Sequence, residues 1–143
     1  MEIRQFEQKD MDDVLRLANN YAFFDGPSTV EDFDVTFPEG FIVAEDGEKI
    51  IGLAYSYFKD VPEDVLKTWG VSKVATIELL VVDPKYGKQG IGTLLLERLI
   101  EILKQAGVDL IGLTCPVQAE QAKRLYEKVG FDISAYHMRM KLS

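Results

Sequence analysis

The sequence predicts an α/β fold, and three observations lead to this prediction. Short alternating or apolar segments typical of strands recur between segments with helical spacing of apolar residues. An apolar strand over about 73–82 leads through a glycine-rich turn directly into a long amphipathic helix. No repeat, linker or low-complexity stretch interrupts the 143 residues, so we expect a single domain over residues 1–143.

The first forty residues predict one strand followed by two helices. Residues 2–6 alternate as in a strand, and apolar residues at helical spacing indicate a first helix over about 9–20. Ser28 or Thr29 is a suitable N-terminal cap for a short second helix.

The middle of the chain predicts a β-hairpin and then a polar excursion. The apolar segments 41–44 and 49–58 flank a Glu-Asp-Gly-Glu turn at 45–48, which is the clearest hairpin signal in the chain. Residues 59–72 are polar and include one expected helical turn at 63–67.

The remaining elements alternate between helix and strand. Gly107 ends the long helix that follows the glycine-rich turn. A buried strand is expected over 109–115 and a helix over about 118–129. Two alternating segments, 131–136 and 137–142, predict two final strands.

Composition limits the classes of function. The formal net charge of −8, from 24 acidic and 16 basic side chains, disfavours nucleic acid. It suits a cationic substrate such as an amine, and the alternative is that it only keeps the protein soluble. No apolar run approaches the ~20 residues that cross a bilayer, and residues 1–6 do not resemble a signal peptide. The single cysteine, Cys115, excludes an internal disulfide and suits a reducing cytoplasm. We therefore expect a cytoplasmic protein with no nucleic-acid or membrane partner.

The glycine-rich turn predicts an anion site. It places backbone N–H groups at the positive end of a helix dipole, and Gly90 and Gly92 let the backbone approach an anion without an intervening Cβ. The turn is not a Walker A loop, because no Gly-Lys-Ser/Thr closes it, and it lacks the third glycine of a dinucleotide fingerprint. A phosphate group is the expected ligand.

Two segments in a fixed order carry a family pattern. The first runs from Val82-Asp-Pro84 to Gly90-Ile-Gly92, and the second is Ala122-Lys-Arg-Leu-Tyr-Glu-Lys-Val-Gly-Phe131. They resemble the pyrophosphate loop and the second signature of the GNAT superfamily of acyl-CoA-dependent N-acyltransferases. The order of strands and helices is similar to that family over essentially the whole chain.

The resemblance implies a fold and a cosubstrate. The sheet would be mixed and largely antiparallel, with about six to seven strands, helices on both faces, and a splay between the fourth and fifth strands. Acetyl-CoA would lie in this opening, with no metal required. Its pantetheine arm would pair with the backbone of Leu80, Val81 and Val82. Its pyrophosphate would sit on the amides of Lys88, Gln89, Gly90, Ile91, Gly92 and Thr93.

Two positions depart from the family pattern. Gly87 stands where the family usually has Arg or Gln, which leaves Lys85, Lys88 or Gln89 to contact the diphosphate. Ala119 stands where an asparagine is common and removes its hydrogen bond to pantetheine.

Tyr126 is the candidate general acid. By resemblance, the matching tyrosine faces the coenzyme sulfur and protonates the departing thiolate. A phenol with pKa ~10 is protonated at pH 7 and can donate to a thiolate of pKa ~8.5. The alternative is a core aromatic residue at helical spacing.

Glu78 is the candidate base, because it is the one acid in an otherwise apolar strand. An alkyl ammonium of pKa ~10.4 is neutral in about one molecule in 2,500 at pH 7, so forming the nucleophile costs roughly 4.6 kcal/mol. A base acting directly or through water supplies this step. The alternative is a solvated strand glutamate. By resemblance, the backbone N–H of Leu80 or Val81, near a bulge, would stabilise the oxyanion.

Other candidates carry weaker signals. Cys115 fits a buried structural thiol better than an acyl acceptor, and His137 lacks metal-ligand spacing. Residues that could form an amine-acceptor pocket by resemblance, or instead belong to the core or to a solvated helix face, are Phe23, Phe24, Tyr55, Tyr57, Asp25, Glu31, Asp32 and Asp34.

The leading hypothesis is an N-acetyltransferase that moves an acetyl group from acetyl-CoA to a primary amine by direct attack in a ternary complex. The second is a catalytically weak acyl-CoA-binding sensor, for which Gly87 and Ala119 argue, and the third is a nucleotide-binding domain. The acceptor stays open between small-molecule amines and peptide or protein N-termini. Similar folds are often dimers, so a homodimer also stays open.

Overall fold

A five-stranded sheet and four α-helices make up the computed structural model, which describes residues 1–22, 29–33 and 36–143. The strands are β1 (Glu2–Gln5), β2 (Phe41–Asp46), β3 (Lys49–Lys59), β4 (Val74–Val82) and β5 (Leu110–Gly112). The helices are α1 (Met11–Tyr21), α2 (Glu63–Trp69), α3 (Ile91–Gln105) and α4 (Glu120–Val129).

The sheet is mixed, with order β1-β2-β3-β4-β5. The first three pairs of neighbours are antiparallel, and β4 and β5 are parallel. Pairing between β4 and β5 ends at Thr76 and Gly112, whereas β4 continues to Val82. The carboxyl half of β4 is therefore free of β5.

Helices lie on both faces of the sheet. Helix α1 packs through Val14, Leu17 and Ala18 into one buried cluster with β2, β3 and β4. Helix α3 packs through Leu95 and Leu99 into a second cluster on the other face, where α4 contributes partly buried residues. The apolar stripes of the sequence thus cover opposite sides of one sheet.

A β-bulge in β4 is centred on Glu78. Tyr55 pairs with Leu79 and Ser56 pairs with Ile77, so Glu78 is an extra residue without a partner across β3. In a regular strand Ile77 and Leu79 would face the same side. Here Ile77 belongs to the α3 cluster and Leu79 to the α1 cluster, because the bulge reverses the alternation.

Three expectations on secondary structure need correction. The described chain holds five strands and not six to seven, because the segments 131–136 and 137–142 form none. Every residue from 132 to 143 is exposed, and an alternating pattern does not stabilise a strand that lacks a neighbour and a covered face. The strand expected over 109–115 is limited to β5. The expected second helix is a single 3₁₀ turn at Val30–Asp32, and its candidate cap Ser28 lies outside the described residues.

Asp109, directly before β5, binds the two residues directly before β4. Its carboxylate accepts hydrogen bonds from the backbone N–H of Lys73 (2.9 Å) and of Ser72 (2.9 Å). The Lys73 ammonium donates to the Ala106 carbonyl (2.9 Å) and lies 4.1 Å from the centre of the Phe58 ring. These contacts fix the register at which the parallel pair begins.

We expect Asp109→Asn to lower the melting temperature by a few degrees at pH 7. The hydrogen bonds from Lys73 and Ser72 hold the pKa of the Asp109 carboxyl below its usual value. A depressed pKa stabilises the fold above the unfolded-state pKa of about 3.9, and this stabilisation is lost as the pH falls through the folded-state value. Melting curves at pH 7 and pH 3 test this, since the parent and the variant should converge at acid pH. Asp60→Asn, at an exposed site, is the control.

Candidate active site

A cleft of about 960 Å³ opens where β4 and β5 separate. Its walls come from the carboxyl half of β4, the glycine-rich turn, the segment after β5 and the first turns of α4. The end of α1, at Tyr21 and Ala22, also lines it. A space of this size suits a ligand of cofactor dimensions.

The glycine-rich turn is held in place by the buried Asp83. Its carboxylate accepts a hydrogen bond from the Lys85 backbone N–H (3.0 Å), which caps the 3₁₀ turn Pro84–Tyr86. The Asp83 N–H donates to the carbonyl of Ile51 in β3 (2.8 Å). Since Asp83 is 1% exposed, the turn starts from a rigid position.

The first turn of α3 faces this cleft. Gly90 occupies the N-cap position in the left-handed conformation (φ 75°), and the first bond of the helix runs from Leu94 N–H to the Gly90 carbonyl (3.0 Å). The amides between them have no intrahelical acceptor. Lys88 also has a left-handed backbone (φ 65°), which costs a non-glycine residue about 1–2 kcal/mol. Such strain is often found at functional turns.

Gly92 brings α3 close to α4. A Cβ at this position would lie 3.3 Å from Leu125 Cδ2 and 3.7 Å from Val82 Cγ2. The two helices therefore meet beside the glycine-rich turn, where a larger side chain would displace Leu125. This packing closes one end of the cleft.

Tyr126 lines the cleft from α4 and is partly buried. Its ring packs edge-to-face against Phe131, with 5.7 Å between the centroids. Burial raises the pKa of Tyr126 to about 12, and the nearby Cys115 thiol, when ionised, adds to this. The hydroxyl makes no hydrogen bond within the described part of the chain. Tyr126 is thus a neutral donor at any physiological pH.

Cys115 lies beside Tyr126 in the cleft wall. Its thiol donates to the carbonyl oxygens of Ala119 (3.6 Å) and Pro116 (3.8 Å), which joins the segment after β5 to the start of α4. Burial raises the pKa of the Cys115 thiol, so the nucleophilic thiolate is disfavoured. The residue is half-buried and not deeply buried, and its contacts fit a structural thiol.

Glu78 lines the cleft from the bulge of β4 and is exposed. The bulge explains its position. The extra residue has no partner in β3, so its side chain does not follow the regular alternation between the two faces of the sheet. Glu78 and Tyr126 therefore line the same cleft from β4 and α4. A carboxylate and a phenol are the two groups that acid–base chemistry at an amine and a thioester needs.

The predicted cofactor residues lie mostly at the cleft. The lining residues among them are Leu80, Val81, Val82, Lys88, Gly90, Ile91, Gly92 and Thr93, and Gln89 is not among the lining residues. The two residues that depart from the family pattern, Gly87 and Ala119, also line the cleft. Lys85 does not line it, so of the three candidates for the missing diphosphate contact only Lys88 is at the cleft.

The residues predicted for the acceptor pocket differ in position from those predicted for the cofactor. Tyr55 is 1% exposed and packs in the core beside α1, and Tyr57 is partly buried against the same cluster. Neither lines the cleft, because both side chains lie on the face of β3 that packs against α1. Glu31 and Asp32 are exposed on the 3₁₀ turn. The candidates outside the described residues are Phe23, Phe24, Asp25 and Asp34.

Three features of the site escape sequence reasoning. They are the position of the expected bulge at Glu78, the left-handed backbone of Lys88 and the contribution of Tyr21 to the cleft. A lone glutamate in an apolar strand is the available signal for the first. The left-handed backbone of Lys88 has no counterpart in the amino-acid composition, because a lysine does not indicate this conformation.

Two kinds of feature are absent from the described ranges. No helix there is both long enough and apolar enough to pass through a bilayer. No cluster of three or more His, Cys, Asp or Glu side chains in those ranges is arranged to hold a metal ion.

Two curated relatives match parts of the chain. The [ribosomal protein bS18]-alanine N-acetyltransferase of Escherichia coli (strain K12) is 41% identical over 58 residues, which is 41% of this chain and 39% of that protein. The Salmonella typhimurium enzyme of the same name is 32% identical over 85 residues, or 57% of each chain. The chain thus spans about two-fifths to three-fifths of the length of the curated relatives it matches.

Solved structures match over nearly the full length. The structure of a transcriptional regulator from Bacillus halodurans C-125 is 26% identical, covers 99% of both chains and has a TM-score of 0.74. Naa20 from Chaetomium thermophilum, in complex with a bisubstrate analogue, is 25% identical with a TM-score of 0.75, over 91% of this chain and 70% of that one. The model of the acetyltransferase (GNAT) family matches residues 4–131. The resemblance drawn from the two motifs is confirmed, and the chain belongs to the acetyltransferase (GNAT) family.

Proposed function

We propose that this protein transfers an acetyl group from acetyl-CoA to a primary amine by direct attack in a ternary complex, with residues 1–143 acting as one acetyltransferase domain. One observation carries the proposal: a single cleft joins the glycine-rich turn, the free half of β4, a carboxylate and a partly buried phenol. The family assignment supports the same cosubstrate. All steps need only groups that this chain supplies.

Acetyl-CoA would bind along the splay of the sheet. Its diphosphate would accept hydrogen bonds from the amides between Lys88 and Thr93, at the positive end of α3. Its pantetheine amides would pair with the backbone of residues 80–82, where β4 has left β5. Lys88, the cation of the turn at the cleft, would supply the side-chain interaction with the diphosphate that Gly87 is unable to make.

Tyr126 would assist departure of the thiolate. Burial raises the pKa of the Tyr126 phenol to about 12, well above the ~8.5 of a thiol, so full proton transfer to the thiolate is uphill by several kcal/mol. We therefore propose that the hydroxyl stabilises the developing thiolate as a hydrogen-bond donor while the carbon–sulfur bond breaks. The amine nitrogen loses a proton as it becomes an amide, and this proton finally resides on the sulfur of coenzyme A.

The oxyanion would be stabilised by a backbone amide near the bulge. Both expected amides belong to residues that line the cleft, Leu80 and Val81, and that of Leu80 is nearer in sequence to Glu78. A bulge frees backbone groups from the ladder, which makes an N–H available to a developing negative charge.

The acceptor that we propose is the α-amine of a peptide N-terminus. The matched E. coli relative is named for acetylating an alanine of ribosomal protein bS18, and Naa20 was solved with a bisubstrate analogue. An α-amine of pKa ~7.7–8.0 costs only about 1–1.4 kcal/mol to deprotonate at pH 7, against roughly 4.6 for a lysine-type amine. An exposed carboxylate such as Glu78 suffices for that smaller step.

A thiol-release assay tests the proposed function. The protein is mixed with acetyl-CoA and two matched peptides, one with a free N-terminal alanine and one with a blocked N-terminus and an internal lysine. We expect release with the first and an acetyl group at its α-amine by mass spectrometry. No release with either peptide, or with a wider amine library, contradicts the assignment.

Glu78→Gln should lower kcat/KM for the peptide about tenfold at pH 7, with a larger loss at pH 6, because more of the amine is then protonated. Unchanged acetyl-CoA affinity by calorimetry would localise the defect to the amine. Glu97→Gln, the same change at an exposed position of α3 outside the cleft, is the control. If kcat/KM of the Glu78→Gln variant equals that of the parent at every pH, Glu78 takes no part in proton transfer.

A second candidate function is an acyl-CoA-binding regulatory module with weak catalysis. The similar Bacillus halodurans protein is named a transcriptional regulator, and this name favours the second function together with the departures at Gly87 and Ala119. Such a module would bind acetyl-CoA in calorimetry but release no thiol with any amine.

A further inference from the structure

Arg16 on α1 makes polar contacts with two parts of the chain outside its own helix. Its Nη2 donates to the Ile50 carbonyl near the start of β3 (3.2 Å), and its Nη1 lies 4.0 Å from Oδ2 of Asp83, the residue directly after β4. Nη2 also lies 3.4 Å from Oδ1 of Asp13 on the same helix. The first helix is therefore linked to the residue from which the glycine-rich turn starts.

Burial of Asp83 gives this link its importance. The Asp83 side chain is 2% exposed and that of Arg16 is 34% exposed, so an almost wholly buried carboxylate faces a cation that reaches the solvent. Of the cations in the described part of the chain, only Arg16 lies within 4.0 Å of this carboxylate. Removing the counter-charge of a buried carboxylate is strongly destabilising. Arg16 therefore compensates the charge of Asp83 at the position that the turn requires.

Backbone hydrogen bonds carry the position of Asp83 into the turn. Its N–H donates to the Ile51 carbonyl (2.8 Å), its carboxylate accepts from the Lys85 N–H (3.0 Å), and its carbonyl accepts from the Tyr86 N–H (2.9 Å). Lys88, two residues later, lines the cleft with a left-handed backbone. A strained backbone persists only where the surrounding structure holds it. The contacts of Asp83 provide such support at the start of the turn.

We propose that Arg16 is a positioning residue for acetyl-CoA, which acts through Asp83 on the turn that would receive the diphosphate. Arg16 does not line the cleft, so it touches neither the cosubstrate nor the reacting atoms. A turn that is less ordered before binding must be ordered on binding, and this cost lowers affinity. The bound geometry is the same once acetyl-CoA is in place, so kcat is unaffected. The inference rests on the proposed cosubstrate site but not on the acceptor amine.

Amide hydrogen exchange, measured by NMR on the protein without ligand, tests the effect on the turn. In Arg16→Gln the amides of Asp83, Lys85 and Tyr86 should exchange about tenfold faster than in the parent, while amides in the middle of α3 are unchanged. Arg98→Gln, the same change at an exposed position of α3 outside the cleft, should alter none of them. Unchanged exchange of the three amides, or an acceleration that α3 shares equally, overturns the proposal.

Calorimetry and steady-state kinetics test the effect on acetyl-CoA. Arg16→Gln should weaken binding and raise KM for acetyl-CoA about tenfold, with kcat within about twofold of the parent. Asp83→Asn removes the buried charge, so in this background the loss of Arg16 should weaken binding by no more than about twofold. A tenfold loss in both backgrounds, or a fall in kcat at unchanged affinity, overturns the proposal. Exchange and calorimetry need no acceptor amine, so failure here is distinguishable from failure of the proposed function.

Discussion

Tyr126→Phe is expected to lower kcat by about 10²–10³-fold, the range for loss of one hydrogen-bond donor to developing negative charge, with little change in acetyl-CoA affinity. The substitution removes only the hydroxyl and keeps the ring that packs against Phe131, so the fold should be intact. Steady-state kinetics and calorimetry measure the two effects separately. Equal kcat in parent and variant would assign Tyr126 to the core.

The pH dependence of this variant gives an independent check. Because burial raises the pKa of Tyr126 to about 12, the phenol stays protonated and useful well above the ordinary value of about 10. We expect the ratio of parent to variant kcat to be constant from about pH 7 to pH 10. A ratio that falls towards one near pH 10 would indicate an unshifted phenol in the complex.

Gly92→Asp is expected to weaken acetyl-CoA binding by about 10–100-fold. A carboxylate in the first turn of α3 meets the diphosphate at a cost of about 1–3 kcal/mol, within the range for partly screened like charges. The same carboxylate complements the helix dipole, which offsets part of the cost of displacing Leu125. Calorimetric titration with acetyl-CoA, together with melting curves, measures both effects.

Gly92→Ala separates charge from steric effects. Its Cβ would lie 3.3 Å from Leu125 Cδ2, so that side chain must shift by a few tenths of an ångström and a small loss of affinity is expected. The additional loss in the Asp variant should shrink in high salt, because salt screens exposed charges. A loss that is equal in both variants and insensitive to salt would contradict an anion at this turn.

Most of the fold could be predicted from the chain. The hairpin between β2 and β3 and the α3 stripe follow from periodicity and glycine positions, which act locally. The alternating pattern of residues 131–142 predicts two strands, and this segment forms none in this chain. Its alternation is local, but a strand needs a neighbour, and no sequence pattern says whether that neighbour is available.

The site was predictable in part for the same reason. Gly90 and the helix of Tyr126 carry local motifs, and these motifs lie on the expected elements. Tyr55 is equally suited to an acceptor pocket by its residue type, yet it is buried against α1. The packing of α1, far away along the chain, decides that Tyr55 lies in the core and not in a pocket.

What the sequence by itself determined is the order of elements, the glycine-rich turn and the family. The resemblance predicted a splay and a bulge in β4, but only the tertiary structure decided that the bulge lies at Glu78 and reverses the alternation of β4, and that β5 leaves β4 after Thr76. The physical reason is that a bulge and a splay are relations between strands distant in sequence. They arise from pairing and packing that no single segment encodes.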